Sequence, residues 1–268
     1  MSNPLLSVII VNYNGEKFLK ECFNSLYNNL ANIQHEIIIV DNQSTDQSVI
    51  YIKENYPEII LIESEDNLGF GLGNNLGVKH AKGKYVLLFN NDTILLDPID
   101  TAIEYLENHA DVGTLGIKML DANKNYLPAA GIFPNPLNLI LFKKLFFSTP
   151  EFRTGNFKDN TYEVDWISGS FMLMKKELYE SIGGFDKDYF MYVEDVDICK
   201  KIANKNLKRV FFPSLKYIHF VGFNTKKNPL IIKGYKTYIN KHHKNIIENS
   251  ILNLSLKISA IIKKWKYD

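Results

Sequence analysis

The sequence predicts an α/β fold with a mostly parallel central sheet, helices on both faces and a helical tail at the C-terminus. Three observations lead there. Apolar runs of strand length alternate with runs of helix length from Leu5 to Lys118, the rhythm of repeated βα units. Polar clusters rich in Asn, Asp and Ser follow several of the apolar runs, the kind of loop that lines ligand clefts at the carboxyl edge of such sheets. At 46% hydrophobic content, 268 residues suffice for a real core in one large domain with an appendage.

In chain order, a strand is expected over 5–11 and a helix over 16–28, then a strand over 36–40 and a helix over 46–55. The rhythm continues with a strand over 59–63, a helix over 71–81, a strand over 85–89, a helix over 100–109 and a strand over 112–118. Pro128, Pro134, Pro136 and Pro150 break it, so 121–163 reads as an irregular insertion with an apolar piece at 137–147, placed as an acceptor-side flap. Regularity returns at Val164-Asp165-Trp166, with helices near 175–182 and over 193–204 and a strand over 208–212.

Cys22 and Cys199 lie inside helical stretches without metal-type spacing and read as reduced core thiols, which points to a reducing compartment. The apolar run at 5–11 is too short to span a membrane and has no basic region before it, so neither a signal peptide nor a transmembrane segment is expected. Net charge is +1, yet residues 224–268 hold ten lysines against Glu248 and Asp268, while the rest of the chain carries 21 basic and 28 acidic residues. The two parts therefore face different partners.

The densest chemistry is Glu194-Asp195-Val196-Asp197, directly behind Tyr189-Phe190-Met191-Tyr192. Like charges this close repel, and a sequence rarely stacks them without a cation or a proton-transfer task nearby. On a helix starting near Val193, Asp195 shares its face with Ile198, Cys199 and Ile202, while Glu194 points with Asp197 and Lys201 toward a more polar side. An inward carboxylate at a helix N-terminus is placed to act as a base; the plainer alternative is a trio complementing the helix dipole.

Upstream, Asn90-Asn91-Asp92 follows the strand at 85–89, putting Asp92 where a carboxylate with open coordination positions would hold a divalent cation on a diphosphate, or else cap the turn toward Asp97-Pro98. His219 is either a further ligand or a satisfied core residue beside aromatics. The loop Asn12-Tyr13-Asn14-Gly15 and the run from Val40 to Asp46 bring polar groups to the same edge, as ligand contacts or as turns and helix caps. The glycines Gly69, Gly71 and Gly73 are not a dinucleotide fingerprint, which belongs after the first strand and needs a glycine where Leu76 stands.

Taken together and in order, Ser7-Val8-Ile9-Ile10-Val11-Asn12-Tyr13-Asn14, Val40-Asp41-Asn42-Gln43-Ser44, Asn67-Leu68-Gly69-Phe70, Asn90-Asn91-Asp92, Ser168-Gly169-Ser170-Phe171, Gly183-Gly184-Phe185-Asp186 and Tyr192-Val193-Glu194-Asp195-Val196-Asp197 resemble family 2 glycosyltransferases of the bacterial rhamnosyltransferase-type branch. The match runs from about residue 5 to 222. The resemblance implies the GT-A nucleotide-sugar-binding fold for 1–222 and an inverting, metal-dependent transfer of a sugar from a nucleoside diphosphate to a hydroxyl. It implies that Asp41 binds the nucleoside base, with Val11, Asn12, Asn67, Asn75 and Asn91 at the nucleotide. Asp92 and His219 would hold Mn²⁺ or Mg²⁺. Asp195 would be the general base and Glu194 would orient the acceptor hydroxyl, with Trp166 and Gly169 near the transferred sugar and acceptor. Asn90 stands at the first acidic position of the family's Asp-x-Asp site, leaving one fewer negative charge for the cation.

The implied donor is a dTDP-sugar, dTDP-rhamnose first, or a UDP-sugar. The acceptor is a bacterial surface glycan or a lipid-linked glycan, and no nucleic acid is involved. Two competing readings are a nucleotidyltransferase, which would carry a basic glycine-rich loop where 12–15 is neither, and a sugar-nucleotide-binding protein that has lost its base or metal ligand.

The tail, 223–268, reads as a basic amphipathic helical segment. Ile247, Ile251, Leu254, Ile258, Ile261 or Ile262, and Trp265 recur at helical spacing among Lys257, Lys263, Lys264 and Lys266. This is the pattern of an interfacial helix, which would hold a cytoplasmic enzyme at the inner membrane face. Leu252 and Leu256 widen the apolar face, so packing on the catalytic domain or on a second subunit of a homodimer is the alternative.

Overall fold

The computed structural model describes residues 3–146, 149–220 and 228–267, with 263–267 described through the backbone alone. Phe147, Val221, Gly222, the expected boundary at 222/223 and the side chains of Lys263, Lys264, Trp265 and Lys266 lie outside the described residues. The first half follows the βα rhythm: β1 (Leu6–Asn12), α1 (Glu16–Asn29), β2 (His35–Asp41), α2 (Ser48–Asn55), β3 (Ile60–Glu63), α3 (Gly69–His80) and β4 (Tyr85–Phe89). Next come β5 (Thr93–Leu95), α4 (Asp100–Asn108), β6 (Val112–Leu120), β7 (Tyr126–Leu127), β8 (Ala130–Gly131), α5 (Pro136–Ile140), α6 (Lys143–Phe146) and α7 (Pro150–Thr154). The remainder is β9 (Tyr162–Val164), β10 (Trp166–Ile167), β11 (Phe171–Lys175), α8 (Lys176–Ser181), α9 (Glu194–Ala203), β12 (Lys208–His219), α10 (Asn228–His242) and α11 (Ile246–Tyr267).

The main sheet runs β3-β2-β1-β4-β11-β6-β12-β5. Its first four strands pair in parallel, and the unbroken apolar runs of β1 and β4 are buried because helices cover such a sheet on both faces. The second half is mixed, a difference from the mostly parallel sheet expected. β11 inserts antiparallel between β4 and β6, while β12 pairs parallel to β6 and antiparallel to β5 and β9. Only five residues long and directly behind Ser168-Gly169-Ser170, β11 leaves little periodicity to read.

β12 also runs on past the expected end at Phe212. Its register with β6 breaks between Phe212 and Lys216, around Pro213, which has no N–H to donate to the ladder. Pairing then resumes and carries His219 opposite Thr93, one residue beyond Asp92. The segment 121–163 is less irregular than its prolines suggest. β7 pairs with β6, β8 pairs with β10 in a second small sheet, and Phe152, Phe157 and Tyr162 form an edge-to-face aromatic cluster in which Phe211 of β12 is packed at tilted angles.

Two helices form the tail rather than one. Asn245 separates them: its side chain accepts the N–H groups of Ile247 (3.0 Å) and Glu248 (3.1 Å), capping α11. α10 buries Tyr235, Tyr238 and Ile239 in the same core as the sheet. α11 packs against α5 and α10 and buries Leu252, Ser255, Leu256 and Ser259. Its other side leaves Ile247 72% and Leu254 59% exposed, with Ile251, Ile258 and Ile261 alongside. Among the described residues no helix is long and apolar enough to cross a membrane.

Candidate active site

The carboxyl ends of β1, β2 and β4 open into a cleft of about 370 Å³. On the β1–β2 side, a chain of amides organises its floor. The Asn91 side chain donates to Asn12 Oδ1 (2.7 Å), and Asn12 donates to Asp41 Oδ2 (2.9 Å) and Ser44 Oγ (3.1 Å). The Ser44 N–H takes the other Asp41 oxygen at 2.8 Å. Asn12 and Asp41 are thus buried one layer behind the surface, and Val11, Tyr13, Asn42 and Asn67 present themselves to the cleft. Gly15 has to be glycine here: a Cβ would lie 2.0 Å from Asn91 Nδ2 and 2.5 Å from Asn12 Oδ1. Gly69, at φ +76°, lets the backbone pass Phe190, and its carbonyl accepts the Asn42 amide at 2.9 Å.

On the β4–β5–β12 side, His219 Nε2 lies 3.1 Å from Asp92 Oδ1 and 3.2 Å from the Asn90 amide nitrogen. Asn90 Oδ1 is buried beside them with no hydrogen-bond partner. An oxygen donor and an imidazole in contact, next to an orphaned amide oxygen, fit a divalent cation that keeps positions open for phosphate oxygens. Among the described residues no cluster of three or more His, Cys, Asp or Glu side chains supplies a closed metal cage, and no lysine or arginine lines the cleft.

Opposite stands the N-terminus of α9. Tyr192 (φ +72°) and Val193 (φ +74°) are consecutive left-handed residues, and for a β-branched valine this is an outlier that costs about 1–3 kcal/mol. The strained turn aims Glu194 and Asp195 into the cleft. Burial pushes the Asp195 carboxyl up, against the lowering pull of the N–H groups of Gly169 (3.4 Å to Oδ2) and Val196 (2.9 Å to Oδ1). Burial first, then the Asp195 charge, pushes Glu194 up further, and its Oε2 is buried without a hydrogen-bond partner. Both carboxyls are thereby held above the usual carboxylate range. Gly169 admits the Phe70 ring against the pair, since a Cβ would come within 2.9 Å of it.

Of the residues expected at the site, Val11, Asn67, Asn91, Asp92, Gly169, Glu194, Asp195 and His219 line one cleft. Asn12 and Asp41 support it from behind. Asn75 and Trp166 are not brought there. The Asn75 amide bonds the N–H and C=O of Phe185 and the Tyr179 hydroxyl, and the Trp166 indole donates to Ile132 O (3.0 Å) within the core. The expected polar side of α9 is corrected too: Glu194 and Asp197 are both buried, Glu194 in the wall of the cleft and Asp197 against His242 of α10. Of the aromatic run, Tyr192 and Met191 reach the cleft, while Tyr189 is buried with its hydroxyl on Asp197. Tyr13, Asn42, Phe70 and Ser168 complete the lining without having been singled out; each stood inside or beside a motif that was.

Comparison with known proteins places this arrangement. The chain superposes on the mannosyltransferase PcManGT from Pyrobaculum calidifontis, solved in complex with GDP-Man and Mn²⁺, with a TM-score of 0.62 at 17% identity over 97% of this chain and 74% of that one. The fold is therefore that of the GT-A glycosyltransferases. In sequence, residues 7–183 match the model of glycosyl transferase family 2, and the chain belongs to that family. It is 26% identical to the rhamnosyltransferase WbbL of Escherichia coli K12 over 93% of this chain and 95% of that protein. It is also 25% identical to the N-acetylglucosaminyl-diphospho-decaprenol L-rhamnosyltransferase of Mycobacterium tuberculosis, over 90% and 82%.

Proposed function

We propose that this glycosyltransferase is an inverting, metal-dependent enzyme that moves rhamnose from dTDP-rhamnose to a hydroxyl of a polyprenyl-diphosphate-linked glycan at the inner face of the cytoplasmic membrane. The observation that carries the reading is a single cleft with the carboxylate–imidazole pair Asp92–His219 in one wall and the raised-pKa pair Glu194–Asp195 in the other. Asp195 takes the acceptor proton as the hydroxyl oxygen bonds the anomeric carbon, and the bond from that carbon to the diphosphate breaks on the opposite face. Glu194, carrying its proton, donates a hydrogen bond that orients the acceptor. Asp92 and His219 would hold Mn²⁺ or Mg²⁺, which would supply positive charge to offset that of the departing diphosphate. Metal use is favoured by the absence of any lysine or arginine among the described cleft residues. Val11, Tyr13, Asn42 and Asn67 form the nucleoside wall, with Asn12 and Asp41 holding it in place. The rhamnosyltransferase relatives support rhamnose as the sugar, and the lipid-linked substrate named for the mycobacterial one supports the acceptor class.

The test is radiolabelled transfer to a polyprenyl-diphosphate N-acetylglucosamine acceptor from dTDP-rhamnose and from UDP-hexoses in parallel. Product from dTDP-rhamnose, absent in excess chelator and in Asp92→Ala, is expected. Transfer from UDP-sugars alone would replace the donor, and full activity in chelator would end the metal claim.

A further inference from the structure

The third carboxylate of the acidic motif faces away from the cleft, into α10. Asp197 is fully buried; its Oδ1 lies 2.7 Å from His242 Nε2 and accepts the Tyr189 hydroxyl at 3.2 Å, while Lys201 Nζ sits 3.3 Å from Oδ2 without hydrogen-bond geometry. The His242 ring packs on Tyr238, with centroids 4.7 Å apart. The adjacent Lys241 bridges Asp186 and Asp188, both at 2.7 Å. Two turns earlier, Gly234 lies flush against the strained turn: a Cβ there would come within 2.7 Å of Tyr192 O and 2.9 Å of Val193 Cβ. One helix thus grips the segment from Asp186 to Asp197 at three points, and the catalytic pair lies within it.

We propose that His242 is a positioning residue for sugar transfer: through Asp197 it fixes the first turn of α9, and with it Glu194 and Asp195, against the cleft. The inference rests on the reading that this pair acts on the acceptor. The energetics fit, because the cost of leaving a buried hydrogen-bonding group without its partner is of the same order as the strain in two left-handed residues. Without the bond, the Tyr192-Val193 turn relaxes by rotating the base away. Among the described residues His242 bonds Asp197 and packs on Tyr238, both away from the donor side of the cleft built on β1 and β4, so nucleotide binding is expected to be spared.

The experiment measures turnover, donor affinity by calorimetry and melting temperature for His242→Ala, His242→Asn and His242→Gln, each also in an Asp195→Asn background. Loss of the Asp197 contact in the Ala and Asn variants is expected to lower kcat at least ~10-fold, with donor Kd within about 2-fold of wild type, the cost of a misplaced catalytic group. Gln, whose amide nitrogen reaches near the place of Nε2, is expected to recover to within about 3-fold, and in the Asp195→Asn background the Ala and Asn variants are expected to cost nothing further, as for residues acting through one another. Normal kcat in His242→Asn, a matching loss of donor affinity, or an equal cost in both backgrounds would overturn the proposal. Should Asp195→Asn alone keep normal turnover, the base assignment fails instead, which is a different result.

Discussion

Burial changes the proton affinity of Asp195, the proposed base. Enclosure at the α9 N-terminus raises its carboxyl to about 6, so it gains proton affinity while staying ionised at neutral pH. Asp195→Asn is expected to keep donor binding and to lower turnover by a factor on the order of 10² to 10⁴. In the wild type, turnover should fall as pH drops through about 6, because the base is then protonated. Stability should move the other way. A folded pKa above the unfolded one contributes stability that is complete in acid and is lost as pH rises through the folded value. Asp195→Asn should therefore melt at or above the wild type at pH 8, with the difference gone near pH 4. An Asn variant that melts lower at both pH values would show that the carboxylate is structural.

At the scale of elements, helix ends and strand ends deliver the chemistry, and the connections between them set its precision. β12 bends at Pro213 and still reaches β5, and that pairing alone makes His219 a neighbour of Asp92. α10 approaches the Tyr192-Val193 turn before α9 closely enough that Gly234 has no room for a methyl group. Alanine normally stabilises a helix interior relative to glycine by about 1 kcal/mol. Gly234→Ala is nonetheless expected to lower the melting temperature and turnover together, since the displaced atoms are the backbone oxygen of Tyr192 and the branched carbon of Val193. An unchanged or raised melting temperature would show that α10 can shift without cost.

Across the whole molecule, the tail divides its apolar residues between two tasks. Leu252 and Leu256 are spent on packing, while Ile247, Ile251, Leu254, Ile258 and Ile261 remain outside, with exposed Lys257 beside them. Interfacial burial of that stripe, helped by basic residues at anionic lipid, would bring the cleft to a lipid-linked acceptor. The full chain is expected to float with anionic vesicles, and Ile251→Gln/Leu254→Gln/Ile258→Gln to remain in solution with its melting temperature kept. If both float equally, the stripe is not a membrane face; if the variant instead changes oligomeric state, it is a subunit contact.

Local patterning was enough for the parallel half of the sheet, the carboxyl-edge loops that carry Val11, Asn67 and Asp92, and the helix that presents Asp195, because each is written in a local apolar run and the polar residues directly behind it. The sequence's ordered motifs also pointed to the family that residues 7–183 match. What it could not carry was anything depending on separation along the chain. The antiparallel insertion of β11, the 129-residue jump that brings His219 to Asn90, the burial of Glu194 in the cleft wall and that of Asp197 against α10 arise only when distant segments pack. Helical phase alone put Glu194 and Asp197 on a polar side, because phase records direction around an axis and nothing of what a later helix will cover. Asn75 and Trp166 illustrate the same limit: both were expected at the site, but their polar atoms are consumed by neighbours that only the folded chain supplies.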